Sequence, residues 1–273
     1  MTKFVRPTKN TMPSLNYDTF SDGEVKIRYS TLESDSEYMV VAHAFLQKLM
    51  KEFARLSIKC YRPRYHASNM PYYYSERRLD SIVLPAISKI CDGIVLTEMP
   101  VQRTVKKTGE VIGSGHGRAD YWCIFRGFSL VIEMKGSWDR YKCKTVRQHS
   151  IVDRWGTMIG QLDSSYDECK RSGEKTKGII RIGLHFVSSI AHEAPTPELI
   201  YDDYKDCVDS YMDAFCTRLH DAYNSAVYDP SYAATWLIPD RIINTKYGFD
   251  NTTFPGVMLL AKVFKDIKHG EHV

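Results

Sequence analysis

One stretch of the sequence, residues 118–135, restricts the fold more than any other. Two runs rich in strand-forming residues, Arg118–Phe125 and Phe128–Lys135, lie on either side of the dipeptide Arg126-Gly127. If that dipeptide is the two-residue turn of a β-hairpin, residues whose numbers add up to 253 face each other across the strands. The pattern predicts an antiparallel hairpin whose turn decides which side chains meet.

Acidic and basic side chains converge on this predicted hairpin. Asp120 lies directly opposite Glu133 in the two-residue register, and directly paired residues have Cβ atoms about 4.5 to 5.5 Å apart. Lys135 shares the face of Glu133, because side chains alternate along a strand with a period of two. A three-residue turn would shift the pairing by one residue and separate these groups.

The rest of the sequence predicts helices and strands in mixed order. The first 33 residues are polar and indicate no element, but a capping-box pattern, Ser34 followed by Glu37, precedes an amphipathic helix. A second helix over residues 75–91 should be kinked or interrupted at Pro85. The other predicted elements are a strand over Ile94–Val101, a helix over 147–171, a strand over Gly178–Ile190, a helix over 198–223, and strands over Ala233–Ile238 and Val257–Phe264.

These elements favour an α/β fold in which helices flank a central mixed β-sheet. No internal repeat, low-complexity tract or flexible linker divides the 273 residues. We expect an N-terminal helical extension over residues 1–74 and a core over residues 75–273 that ends in C-terminal strands. The two should form one continuous globular unit.

Composition excludes several classes of protein. The formal charge of +4, from 37 Lys and Arg against 33 Asp and Glu, allows an anionic partner but only through a local surface. No apolar run approaches the roughly 20 residues that span a bilayer, so a soluble protein is expected. Seven cysteines without a CxxC pair, and an N-terminus without a secretion signal, predict a cytoplasmic location. The nine histidines show no zinc-ligand spacing.

The pattern acid, any residue, Lys occurs five times, and its context selects one copy. Only Glu133 follows a strand-like apolar run that is itself preceded by a strand with an acid near its start. Two carboxylates held this close repel each other unless a cation intervenes, and hard oxygen ligands favour Mg²⁺, with Mn²⁺ as a substitute. A nearby ammonium can stabilise negative charge and orient a water. The alternative is a structural acid-lysine pair across an exposed hairpin, which adds little stability.

The two strands also resemble a known family. Gly117-Arg118-Ala119-Asp120-Tyr121-Trp122, followed after the turn by Val131-Ile132-Glu133-Met134-Lys135, is similar to the PD-(D/E)XK, or restriction-endonuclease-like, nuclease superfamily. Ala119 stands where the name-giving proline would be. The resemblance covers about residues 75–190, whose predicted helix, three strands, helix and strand follow the order of the superfamily.

The resemblance implies a restriction-endonuclease-like core and a Mg²⁺-dependent nuclease that hydrolyses phosphodiester bonds of DNA as an endonuclease. A restriction or phage-defence type is one possibility, and recombination and repair stay open as well. Asp120 and Glu133 would bind the metal with the Met134 carbonyl, and Lys135 would assist the attacking water. Two alternatives stay open: a nucleic-acid or protein-binding module that keeps the fold without cleaving, and a structure-specific or RNA nuclease. A homodimer would supply the two sites that a double-strand cut needs.

Two further residues are candidates for the same site. The superfamily often adds an acid from the helix before the strands, and Glu76 falls on the core-facing side of that helix with Leu79 and Val83. Glu76 is therefore a candidate catalytic residue and metal ligand, or else a half-exposed acid favoured by the helix dipole. Related nucleases often place a glutamine on the helix after the Glu-x-Lys strand. Gln161 is that candidate, or else an ordinary glutamine at the border of an apolar stripe.

Basic residues indicate where a nucleic acid would bind. Those before and within the second helix are mixed with tyrosines, a combination that can bind phosphates and stack on bases. Others follow the Glu-x-Lys strand and could line a phosphate track. The alternatives are tyrosines that cover the core and an ordinary solvated loop. The candidates are Arg62, Arg64, Arg77, Arg78, Arg140, Lys142 and Lys144.

Overall fold

The chain forms an α/β protein built on a mixed, open β-sheet. A computed structural model describes residues 15–31, 34–61, 70–73, 76–107, 110–141, 148–164, 176–192, 197–243 and 252–265. The helices in these ranges are α1 (Glu37–Cys60), α2 (Glu76–Ile90), α3 (Gln148–Ser164), α4 (Pro197–Tyr223) and the short α5 (Asp240–Ile243). The strands are β1 (Tyr17–Asp22), β2 (Val25–Ser30), β3 (Leu96–Lys107), β4 (Glu110–Phe125), β5 (Phe128–Arg140), β6 (Ile179–His192), β7 (Tyr232–Leu237), β8 (Thr252–Thr253) and β9 (Gly256–Lys265).

The sheet has the order β1-β2-β7-β9-β6-β5-β4-β3, and the short β8 pairs with β6. Strands β5 and β6 run parallel, whereas the other neighbouring pairs among the described strands are antiparallel. A parallel pair needs a crossover connection, and α3 lies in the connection between β5 and β6. The Glu-x-Lys strand β5 is thus held in the sheet by β6 along its whole length.

Helices cover both faces of the sheet. Phe53 of α1 stacks on Phe186 of β6, with ring centroids 4.9 Å apart, whereas Trp155 of α3 stacks on the neighbouring His185. Because successive side chains of a strand point to opposite faces, α1 and α3 lie on opposite sides. Lys89 ties α2 to α1, and the Tyr223 hydroxyl ties α4 to α3. None of the helices in the described ranges is both long and apolar enough to cross a membrane.

The N-terminal region differs from the predicted helical extension. Strands β1 and β2 form an antiparallel hairpin, and β2 pairs with β7, so this region extends the sheet. Val25 and Ile27 belong to the same hydrophobic cluster as α1 and the central strands. The expectation that residues 1–74 add only helix is therefore wrong for residues 17–30, because an alternating apolar pattern places one face of β2 in the core.

The predicted capping box of α1 is also wrong, and of the two outcomes expected at Pro85, a kink or an interruption, the interruption does not occur. Helix α1 has Ser36 as its N-cap, without a side-chain cap, and the Ser34 hydroxyl accepts a hydrogen bond from the Ser36 amide instead of capping the helix. Helix α2 continues through Pro85 without interruption. Pro85 lies on the exposed face, as does Ser81 one turn earlier. Because Pro85 has no amide hydrogen, the Ser81 carbonyl lacks its helical partner, and its exposed position allows water to bind it instead.

Candidate functional site

The turn that joins β4 to β5 has the predicted length of two residues. Arg126 and Gly127 have φ values of 51° and 80°, both in the left-handed region that a type I′ turn requires. The paired residues run from Phe125 and Phe128 to Tyr121 and Ile132, whose numbers add up to 253 as predicted. The register is confirmed over these five pairs, but the pairing ends at Tyr121 and Ile132, one residue before the predicted pair of Asp120 and Glu133.

Strands β4 and β5 separate immediately beyond this paired section. From Ala119 back to Glu110, β4 pairs with β3, while β5 continues along β6 as far as Arg140. Asp120 immediately precedes Tyr121, the residue of β4 in the pair farthest from the turn. Its Oδ2 accepts a hydrogen bond of 2.6 Å from the Met134 amide of β5. We refer to the gap between the unpaired parts of β4 and β5 as the cleft, and Asp120 lies where this gap begins.

Four side chains bind the main chain of β5 along this cleft. The Met134 amide donates to Asp120, and its carbonyl accepts from the Lys135 ammonium at 2.9 Å. The Gly136 amide donates to Oε2 of Glu76 at 3.3 Å, and its carbonyl accepts from the Arg154 guanidinium. The edge of β5 that is no longer paired with β4 is therefore bound by side chains from β4, β5, α2 and α3.

Glu76 and Lys135 also contact each other. Lys135 Nζ lies 3.7 Å from Glu76 Oε1, and the side chains are 15% and 38% exposed respectively. Glu76 is therefore half-exposed beside the cleft instead of turned into the core, and its partners are the Lys135 ammonium and the Gly136 amide. The structure brings together Asp120, Lys135, Glu76 and the Met134 carbonyl, four of the predicted participants.

Asp120 lies in an acidic neighbourhood. Burial raises the pKa of its carboxyl group, and the carboxylates of Glu76 and Asp80 raise it further. The hydrogen bond from the Met134 amide and the charge of Lys135 act in the opposite direction on that pKa. Asp80 accepts a hydrogen bond from the Tyr121 hydroxyl. The net electrostatic field around Asp120 thus favours binding of a proton or a cation.

Glu133 lies on the α3 side of the sheet. It is 1% exposed, and its register neighbour on β6 is Gly183. A Cβ on Gly183 would lie 2.6 Å from the Met158 side chain of α3, so α3 covers this face closely. Gln161 is on the same helix between Met158 and Leu162 and is half-buried. Glu133 is joined to the cleft through the next residue, Met134, whose amide and carbonyl bind Asp120 and Lys135.

The donor set at the cleft suits a hard cation. The candidate ligands are oxygens of Asp120, Glu133, the Met134 carbonyl and Glu76, and Mg²⁺ prefers such oxygens while keeping several waters. The Lys135 ammonium already contacts the Met134 carbonyl and lies near Glu76, so two of these oxygens attract positive charge. Within the described residues, no three Asp, Glu, His or Cys side chains are grouped closely enough to form a metal site by themselves. The carbonyl and solvent would have to complete the coordination.

His185 is a buried residue of the site region that the sequence does not single out. It lies beside Lys135 in the register of β5 and β6, and its Nε2 is 2.7 Å from the Ser137 hydroxyl. Burial, together with the charges of Arg154 and Lys135, lowers the pKa of His185 to about 3. A histidine inside the apolar run of β6 was the one available signal. The imidazole is neutral and adds no charge beside Lys135.

The neutral His185 predicts a specific acid sensitivity of the fold. The unfolded chain binds a proton near pH 6.5 but the folded chain only near pH 3, so stability is complete above pH 6.5 and falls below it. Each pH unit in that window should cost about 1.4 kcal/mol of unfolding free energy for this group. Denaturant unfolding of wild type and His185→Gln between pH 7 and 4 should show a shallower fall for the variant. Identical slopes would contradict a neutral, buried His185.

The predicted nucleic-acid-binding residues are only partly described. Arg77 and Arg78 are exposed in the first turn of α2, next to Glu76, and Arg140 is exposed at the end of β5. Arg62, Arg64, Lys142 and Lys144 lie outside the described residues. Arg154 is a basic residue at the cleft that the sequence pattern does not reveal.

Fold and site define an α/β protein with a cluster of acids and bases in a cleft between two diverging strands. No family model, no curated protein and no solved structure matches this chain.

Proposed function

We propose that the protein is a Mg²⁺-dependent deoxyribonuclease with a restriction-endonuclease-like core, acting as an endonuclease. One observation carries the proposal: at the edge of β5 beside the cleft, the Asp120 carboxylate binds the amide of Met134 and the Lys135 ammonium binds the carbonyl of the same residue. A structural acid-lysine pair on an exposed hairpin needs no such separation of strands. It also would not explain a buried acid among other acids.

Each residue has a distinct role in this proposal. Asp120, Glu133 and the Met134 carbonyl would hold Mg²⁺, with Glu76 as a further candidate ligand. The bound ion would lower the pKa of water and stabilise the negative charge of the reacting phosphate. Lys135 stabilises negative charge on the phosphate and orients the water, since an ammonium donates hydrogen bonds and ligates no metal. Glu76 positions Lys135 through their ion pair. Gln161, on α3, is a further candidate residue of the same site.

The substrate is assigned by charge and by the kind of site. Arg77, Arg78 and Arg140 are exposed on the elements that border the cleft, α2 and β5, and exposed cations bind phosphates of the backbone without reading sequence. The same kind of carboxylate site can hydrolyse DNA or RNA. DNA is the proposed substrate, and RNA is the competing one. A homodimer would allow both strands of a duplex to be cut.

Cleavage should depend entirely on a divalent cation. Purified protein is expected to cleave DNA with Mg²⁺ or Mn²⁺, to stop in EDTA, and to recover when excess Mg²⁺ is added back. Parallel incubations with supercoiled plasmid, linear duplex, single-stranded DNA and RNA, read on gels, identify the substrate. Cleavage that continues undiminished in EDTA would eliminate the metal mechanism. Tight binding of DNA without any cleavage would favour the binding module.

A further inference from the structure

Arg154 reaches the cleft from the opposite side to Glu76. It lies on α3 directly before Trp155, which is buried and stacks on His185. Packing of Trp155 therefore fixes the helix, whereas Arg154 itself is exposed and its guanidinium donates to the Gly136 carbonyl. Gly136 is thus bound on its amide side by Glu76 and on its carbonyl side by Arg154.

The charge of Arg154 is poorly neutralised by its contacts. Its partner is a neutral carbonyl, and among the described residues no carboxylate forms an ion pair with it. A guanidinium has five N–H donors in a planar fork, so one bond to a carbonyl leaves others available to a second acceptor.

Position and charge together indicate an anionic ligand. Lys135 is 15% exposed and held by Glu76, so Arg154 is the more accessible cation of the pair at this edge of β5. Guanidinium groups bind phosphate oxygens through paired, charge-assisted hydrogen bonds. We propose that Arg154 binds a phosphate of the nucleic-acid substrate next to the reacting bond. This inference rests on the proposed function and adds a binding residue to it.

A structural role for Arg154 makes a different prediction. If the residue only satisfies the Gly136 carbonyl, any side chain with an N–H donor of similar reach should replace it. Arg154→Gln keeps a donor and loses the charge, whereas Arg154→Lys keeps the charge and loses the fork. For phosphate binding, the order of activity is wild type, Lys, then Gln; for a structural role, the Gln variant is close to wild type.

The test combines cleavage kinetics with binding at several salt concentrations. Arg154→Gln should lower kcat/KM for DNA about 10- to 100-fold, the effect of one charged hydrogen bond, and Arg154→Lys should recover part of that loss. In EDTA, where cleavage cannot proceed, the slope of log K against log salt for a labelled duplex should fall by about 0.9 in the Gln variant. Thermal melts report whether each variant is folded.

A matched control removes one positive charge elsewhere. Lys26 is exposed on β2, which is separated from β5 by β7, β9 and β6, about 19 Å across the sheet. Lys26→Gln should leave both kcat/KM and the salt slope unchanged. A folded Arg154→Gln protein with wild-type kcat/KM and salt slope would overturn the role of Arg154 while the proposed function stands. A wild-type protein that neither binds nor cleaves any nucleic acid would overturn both.

Discussion

Replacing Asp120 by Asn should reduce cleavage by about 1,000-fold or more without destabilising the fold. The amide oxygen of Asn can still accept the hydrogen bond from Met134, but the negative charge that would hold a cation is lost. Loss of a metal contact removes several kcal/mol of transition-state stabilisation, which corresponds to a factor of this size. Single-turnover cleavage and calorimetric Mn²⁺ titration should both show the loss.

The stability of the Asp120→Asn protein gives an independent reading. Because burial raises the pKa of Asp120 in the folded state, its proton is bound more tightly there, and its contribution to stability is lost as the pH rises through that pKa. At neutral pH the carboxylate therefore opposes folding, so the Asn variant should melt at an equal or higher temperature. Asp206→Asn, an exposed carboxylate on α4, is the control and should change neither activity nor metal binding. A variant that keeps Mn²⁺ affinity and cleavage would show that Asp120 is not a ligand.

Replacing Lys135 by Met should separate metal binding from cleavage. Methionine preserves most of the apolar stem but has no ammonium to stabilise charge or orient water. We expect Mn²⁺ affinity to stay within a few-fold of wild type and cleavage to fall about 100- to 10,000-fold, the range for loss of a positioned proton donor or acceptor. Mn²⁺ titration beside single-turnover cleavage measures the two effects on the same preparation.

Lys89 provides a matched control for this variant. It is also an ion-paired lysine, 2.5 Å from Glu52, but lies at the opposite end of α2 from Glu76, about 20 Å along the helix. Lys89→Met should keep wild-type cleavage even if it loses some stability. The assigned role of Lys135 is wrong if Lys135→Met loses the metal as severely as Asp120→Asn.

The hairpin could be predicted from sequence because its geometry is local. The dipeptide Arg126-Gly127 determines the turn, and the turn determines the register of ten paired residues around it. Context along the chain also singled out Glu133-Met134-Lys135 among five similar tripeptides, and the structure places Asp120 and Lys135 against the main chain of Met134. These conclusions use residues that are neighbours in sequence, where pattern and structure are most tightly linked.

Features that depend on distant contacts could not be predicted. The separation of β4 from β5 involves Glu76, which is 60 residues from Gly136 in sequence, and Arg154 on the following helix. An exposed arginine on a helix carries no pattern that connects it to a strand edge. The β1–β2 hairpin is a different case, since Gly23, the first residue of the Gly23-Glu24 turn, followed by alternating apolar residues was a usable signal. The polar composition of the first 33 residues hid it.

Gly136 provides a sequence criterion for recognising similar sites. A Cβ at this position would lie 2.6 Å from the tip of the Leu79 side chain and 3.4 Å from the Glu76 Cα, so a larger residue would displace the buried Leu79 side chain three residues after Glu76. Of the five acid-x-Lys tripeptides in the chain, only the one that begins at Glu133 is followed by glycine. A four-residue signature that includes this glycine would therefore select the Glu133 copy even in a chain whose strands had not been recognised.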